Sequence, residues 1–193
     1  MANATELCSL ADLKAYLKIT SGTYDAILQS IKDSTEQFVK DYCGRDFLVT
    51  AYTNDYYDGD GSSRLRTRQR PIISVDSIFC DPARLFGANT QIPTSAIIND
   101  QRSWNVGFIE LYIWRFLFGL KSVQLNYTAG YATIPADLAH AVKLICAREY
   151  LLQDKNLTGQ VSQDVGDRKI TMNLDSIPKN AVEILDRYRR IEI

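Results

Sequence analysis

Histidine is nearly missing from this chain: His140 is the single one among 193 residues. A multi-histidine metal site is thereby excluded. His140 itself sits within an apolar helical segment, where a general base would lack a polar cleft and a partner, so it reads as a surface or packing residue. Cysteine is scarce and scattered. Cys8, Cys43, Cys80 and Cys146 have no CxxC or zinc-knuckle spacing, and they read as buried, reduced thiols rather than metal ligands or a disulfide framework. No uninterrupted run of about 18 apolar residues exists, so no membrane span is expected. The longest candidate, Phe108 to Leu120, is broken by Glu110, Arg115 and Gly119. The start, Met1-Ala-Asn-Ala-Thr-Glu6, has neither the basic nor the apolar region of a signal peptide. Neither sign of charge dominates. With 22 basic and 23 acidic side chains the net charge is −1, which argues against a general nucleic-acid binder. The phosphate-binding glycine loop, GxSxG and GxGxxG are all absent, so no standard catalytic or cofactor signature is present and no cofactor is expected.

What the chain does have is a core's worth of apolar residues, 46% of the total. At this length it needs neither metal nor disulfide to hold a fold. Ser9 before Leu10–Leu17, with Asp12 three positions on, marks a helix start. A second helix is expected from about Tyr24 to Cys43, with Ile27, Leu28, Ile31, Phe38, Val39 and Tyr42 mostly on one stripe and Gly44 ending it. The texture then turns to β. Phe47–Thr53 is rich in β-branched and aromatic residues, and the Asp58-Gly-Asp-Gly61 turn predicts a hairpin. Ile72–Phe79, Phe108–Ile113 and Ser122–Tyr127 read as further strands. Asp81–Asn105 reads as turn-rich, with one short strand near Ala96–Ile98. After Pro135 a third helix, Ala136–Gln153, is apolar around much of its girth and so should be covered on several sides. Asp154–Arg168 reads as a mobile loop, Lys169–Leu174 as a short strand, and Pro178 as the opening of a last helix. Helices and strands segregate, which predicts an α+β fold. Its expected form is a helical bundle built from residues 1–46 and 128–193, with a β-rich, hairpin-containing insertion over 47–127.

Three constellations carry candidate chemistry. Asp55, Asp58 and Asp60 invite a cation, and with it a metal-binding or small enzymatic module, but their spacing fails the calcium-loop pattern and Asp-Gly pairs are favoured turn residues anyway. Arg64, Arg66, Arg68 and Arg70 alternate with Leu65, Thr67 and Gln69. On a strand all four guanidinium groups would share one face, ready for DNA phosphates or an acidic protein surface. The plain alternative is a solvated strand face whose arginines block edge aggregation. Arg187, Arg189 and Arg190 suit the negative end of a helix dipole. Finally, Trp104, Tyr112, Trp114, Phe116 and Phe118 crowd one region. Most are expected in the core, and any left exposed would favour a protein interface.

Four pieces, in order, resemble the head–tail connector (adaptor, or head-completion) family of tailed phages. They are Leu7–Leu17; Phe38-Val-Lys-Asp-Tyr-Cys-Gly-Arg-Asp-Phe47; Tyr56-Tyr-Asp-Gly-Asp-Gly61 followed by Arg70-Pro-Ile-Ile-Ser-Val75; and Tyr127-Thr-Ala-Gly-Tyr131 with Ile134-Pro-Ala-Asp-Leu138. The resemblance touches about residues 7–150. It implies a non-enzymatic virion protein, made in the bacterial host cytoplasm. Such a protein forms a ring, typically of twelve subunits, beneath the portal protein. The ring extends the channel through which packaged DNA passes and docks the tail or a further head-completion protein. It implies no membrane partner. Another neck or tail-completion protein is the nearest alternative. A plain DNA-binding protein is a more distant one.

Overall fold

The computed structural model describes residues 4–154, 162–165, 168–171 and 177–190. Its elements run α1 (Leu10–Leu17), α2 (Asp25–Cys43), β1 (Thr50–Gly59), β2 (Arg64–Arg66), β3 (Ile72–Cys80), β4 (Gln91–Ile92), β5 (Ile97–Ile98), α3 (Gln101–Asn105), β6 (Phe108–Leu111), β7 (Gly119–Ala129), α4 (Ala136–Asp154), β8 (Ser162–Val165), β9 (Arg168–Thr171) and α5 (Lys179–Tyr188). The fold is α+β. Two compact units divide the chain: Met1–Thr5 with Arg45–Thr133, and Glu6–Gly44 with Ile134–Ile193.

In the helical unit, the Ser9 hydroxyl accepts the Asp12 N–H at 3.0 Å and starts α1, satisfying one of the donors a helix N-terminus leaves open. On α2 the spacing of three and four residues places Leu28, Ile31, Thr35, Val39 and Cys43 in one buried stripe. Gly44 stops the helix at φ 63°, a left-handed conformation that costs glycine nothing. The breadth of the apolar surface on α4 is explained by its neighbours: it packs against α1, α2 and α5, burying Leu138, Ala141, Val142, Ile145 and Cys146. One cation is drawn inside with them. Lys32 is buried, with its ammonium 2.6 Å from Glu6 and 3.7 Å from Glu36. Burial lowers its pKa, but the Glu6 hydrogen bond and the Glu36 charge outweigh this and the net shift is upward. Glu36 also accepts the N–H groups of Leu7 (3.0 Å) and Cys8 (3.3 Å), fixing the entry to α1. His140 is exposed and meets the edge of Tyr16 with ring centres 6.1 Å apart.

Within the segment expected to be a mobile loop, Ser162–Val165 is instead a strand, paired antiparallel with β9. Ser-Gln-Asp-Val has no apolar alternation to reveal it. Asp154 ends α4 and Arg168 opens β9, while 155–161 and 166–167 of that loop reading, and Met172–Leu174 of the expected strand, lie outside the described residues.

In the β unit, β7 is the spine of a four-stranded sheet ordered β1-β7-β3-β4, and β2-β6-β5 form a three-stranded sheet. Along β7, Val123, Leu125, Tyr127 and Ala129 are buried and alternate with half-buried Gln124, Asn126 and Thr128, as the two-residue period of a strand requires. These residues join Ile72, Ile78, Ile92, Trp104, Ile109, Leu111 and Phe116 in one core. The expected hairpin across Asp58–Gly61 does not form. β1 pairs with β7 from Thr50↔Ala129 to Gly59↔Gly119, whereas β2 pairs with β6. The Asp-Gly turn is real, but it carries the chain from one sheet to the other. Gly130, at φ 129°, fits where an added Cβ would stand 2.3 Å from the Leu48 carbonyl oxygen. This is why the Tyr-Thr-Ala-Gly-Tyr stretch cannot take a larger residue there.

Candidate functional site

Two surfaces of the β unit carry the candidate residues: the arginine row and the connection between β6 and β7.

Of the row, Leu65 and Thr67 are buried, so the intervening arginines do turn outward. The four do not share a strand. β2 ends at Arg66 because the Thr67 N–H and hydroxyl both bond the Gly107 carbonyl, at 2.8 and 3.1 Å, and the hydroxyl also reaches Gln69. Arg64 lies over the Phe108 ring at 3.8 Å and pairs with Glu110 at 3.0 Å. Arg66 is 5.7 Å from the same ring. Arg68 leaves that sheet altogether: it pairs with Asp55, donates to the Tyr56 carbonyl at 2.8 Å and stacks on Tyr57 at 4.6 Å. The Arg70 carbonyl accepts from the buried Arg45 guanidinium, which itself stacks against Phe47 and Tyr131. The structure thus brings Arg64 and Arg66 to one ring and takes Arg68 to another sheet.

Arg68 closes one side of a cleft of about 450 Å³ along β1, lined by Ala51–Asp55, Arg68 and Gln69. Beneath it lies a hydroxyl–carboxylate network that sequence reasoning missed. The Tyr57 hydroxyl donates to Asp55 at 2.6 Å, accepts the Arg68 N–H at 3.0 Å, and lies 3.0 Å from the Tyr127 hydroxyl. Tyr127 donates to the same Asp55 oxygen at 3.3 Å. Burial pushes both tyrosines above their ordinary pKa, reinforced at Tyr57 by the Asp55 hydrogen bond and at Tyr127 by Tyr57 and then Asp55. The network is a staple holding the 68–69 segment to the sheet. The aspartate trio is dispersed. Asp55 serves this staple, Asp58 accepts the Lys121 N–H at 2.7 Å, and Asp60 accepts the Ser62 N–H at 2.9 Å. Among the described residues no group of three potential ligands could hold a metal.

The β6–β7 connection reverses the expectation for the aromatics. Trp104 and Phe116 are core, but Tyr112 is 65% exposed, Ile113 82%, Phe118 81% and Leu120 77%, with Trp114 and Leu117 also exposed. This is no loose loop. The Leu111 and Phe116 N–H groups bond Ser63 and Ser62 carbonyls at 2.8 Å, Tyr112 bonds Ala96 at 2.8 Å, and Gly61 bonds the Phe116 carbonyl at 2.9 Å. The Ser122 hydroxyl donates to the Leu117 and Gly119 carbonyls at 2.7 and 3.0 Å. The Leu117 carbonyl lies so close to Gly59 that a Cβ there would stand 1.8 Å away. Ile113 holds φ 66°, a left-handed backbone that a β-branched residue adopts only when its surroundings force it. Phe116, fully buried, is the anchor. Leu85, 84% exposed, lies in the loop that leaves β3 at the same end of the sheet, where the Asp81 N–H bonds the Ser122 carbonyl at 2.8 Å. An ordered, exposed apolar tip of this kind is the sort of surface that marks an interaction site.

No helix among the described residues is long and apolar enough to cross a membrane. Curated proteins yield no match to the chain. Solved chains share its fold, three of them as follows. One from the neck of an empty gene transfer agent particle, computed with C6 symmetry, is 17% identical with a TM-score of 0.54 over 99% of this chain and 95% of that one. One from the virion of a native gene transfer agent particle is 17% identical with a TM-score of 0.53, covering 97% of this chain and 91% of that one. One from a native neck computed with C12 symmetry is 18% identical with a TM-score of 0.50, covering 99% and 95%. The family model for head completion proteins matches residues 6–191, and the chain belongs to that family.

Proposed function

We propose that this protein is a structural component of the neck of a phage-type particle, forming an oligomeric ring between portal and tail. The ring extends the DNA channel and offers the tail, or a further completion protein, a docking surface. The observation that carries this reading is the head completion match over residues 6–191. The neck and virion origin of the similar folds, with necks treated under sixfold and twelvefold symmetry, supports a ring and a virion location. The rigid apolar tip supports a role in assembly, since a ring needs two different contact patches on every subunit. The role is structural, not enzymatic. The arginines at 64, 66, 68 and 70 belong to the outer surface of the β unit. The pairing of Arg64 with Glu110 and Phe108, and of Arg68 with Asp55 and Tyr57, supports a structural use of that face over phosphate binding.

Electron microscopy of particles made after deleting the gene tests the reading. DNA-filled heads separated from complete free tails are expected. Normally joined particles would overturn it. An alternative neck or tail-completion role predicts that the protein co-purifies with tails rather than with portal-bearing heads.

A further inference from the structure

We infer that the apolar tip at Tyr112–Leu120 is buried against the helical unit of a second copy of this chain, over the α1–α2 turn and the end of α4; this names the subunit contact of the ring proposed above and rests on that reading. Size is the first argument. Six consecutive or near-consecutive apolar side chains are exposed at the tip, offering about 700 Å² if an aromatic side chain covers about 150–250 Å². That exceeds the largest apolar patch on a typical monomer, about 300–600 Å², and approaches the roughly 800 Å² per partner of a stable interface. A surface of this size facing water is an aggregation liability unless something covers it.

Rigidity is the second argument. The tip is tied at Leu111, Tyr112, Phe116, Leu117 and Gly119 by backbone or hydroxyl bonds, so little chain entropy is left to lose on docking. The third argument is that the same chain exposes a second apolar patch of a different kind. Tyr24, at the start of α2, meets the edge of Tyr150 with ring centres 6.0 Å apart. Ile27 is one helical turn on, and Leu151 is next to Tyr150; both are 46% exposed. Tyr16 lies apart from this patch, against His140 on α4. An apolar tip on one unit and a different apolar patch on the other make a heterologous pair, the type of contact that closes a ring of more than two subunits.

The test places the photoreactive p-benzoylphenylalanine at position 118 in otherwise intact particles. Position 118 is exposed, so the chain should fold as before. Irradiation is expected to join chains into covalent oligomers, with the adduct mapped to the peptides around residues 24–27 or 150–151 of another copy. Adducts on the portal, on a tail protein, on the β unit of a neighbour or only within one chain would overturn the inference, as would the absence of any adduct. In parallel, Phe118→Asp should leave the melting curve of the isolated protein in place yet leave roughly tenfold fewer copies per particle, as loss of an interface hot spot does. Unchanged incorporation, or binding of the unaltered protein to phosphatidylglycerol vesicles that is lost in Phe118→Asp, would overturn the inference too. Failure of the ring reading itself registers separately, as joined particles in the gene deletion.

Discussion

Two surfaces of the β unit exchange the roles that their residue types advertise. The apolar stretch Tyr112–Leu120 faces water and is held there by backbone bonds from the Gly61–Ser63 segment. In the arginine stretch Arg64–Arg70, the most charged in the unit, Arg64 and Arg68 are committed to partners within the chain. Side-chain chemistry alone assigns the first to the core and the second to a ligand. The difference teaches that availability decides what a surface can bind. An arginine already paired with Glu110 or Asp55 must break that contact to take a phosphate. An exposed, ordered phenylalanine loses little on docking.

The sharpest way to break this comparison is inside the tip. Phe116 and Phe118 are two residues apart, one fully buried and the other 81% exposed. Phe116→Ala should cost about 3–5 kcal/mol in urea denaturation, the loss of a large core side chain plus the cavity it leaves. Phe118→Ala should stay within about 0.5 kcal/mol, as surface changes do. Similar costs for the two would mean that the tip is part of the core after all, and the contrast would collapse.

Next in size is the staple beneath Arg68. Tyr57→Phe removes a hydroxyl that donates to Asp55 and accepts from the Arg68 N–H, leaving polar groups unsatisfied at a cost of about 1–3 kcal/mol. The same network has a pH signature. Tyr57 and Tyr127 are raised above 10 in the folded state, burial being the main cause. Their contribution is therefore fully present below pH 10, where both states hold the proton. It is lost as pH rises further, because the unfolded chain ionises first. Thermal melts from pH 8 to 11 should show a fall above pH 10 that is shallower in the Tyr57→Phe, Tyr127→Phe double variant. Equal slopes would remove the phenols from the account.

Much of this architecture is legible in the sequence, for reasons that differ by element. Ser9 and Asp12 mark the start of α1, the apolar stripe and Gly44 bound α2, and the alternation of Val123, Leu125 and Tyr127 marks β7. Each is a local signal. The hairpin reading fails because Asp58–Gly61 says only that the chain turns, not which strand β1 will find. Its partner begins sixty residues on, at Gly119. The two-residue β4 and the short α3 are too brief for periodicity to register, whereas β5 falls where a short strand near Ala96–Ile98 is expected. The arginine spacing correctly sorts Leu65 and Thr67 inward, yet it is blind to Asp55, Phe108 and Glu110, which come from other strands. The tip is hidden for the opposite reason. Its composition says core, and bonds with Gly61, Ser62, Ser63, Ala96 and Ser122 hold it outside. Ile113 in a left-handed conformation is a consequence of that restraint that no propensity anticipates.

The smallest effect discriminates between the two readings of the arginine row. Arg64 and Glu110 are 51% and 30% exposed at their side chains, so their pair is screened by solvent. A double-mutant cycle of Arg64→Ala and Glu110→Ala should return a coupling of about 0.2–1 kcal/mol that shrinks in salt. Stability is therefore not the main reason for the pair; what it does is neutralise Arg64 and orient it over Phe108. If that is its role, releasing Arg64 by Glu110→Gln should raise nonspecific DNA retention on a filter at low salt, while Arg66→Glu with Arg68→Glu in the unaltered background should change retention little. Steep loss of an appreciable retention in the Arg66→Glu, Arg68→Glu protein, with a matching drop in salt dependence, would mean that the row already contacts phosphates despite its partners. The division between a binding tip and a self-satisfied arginine face would then no longer hold.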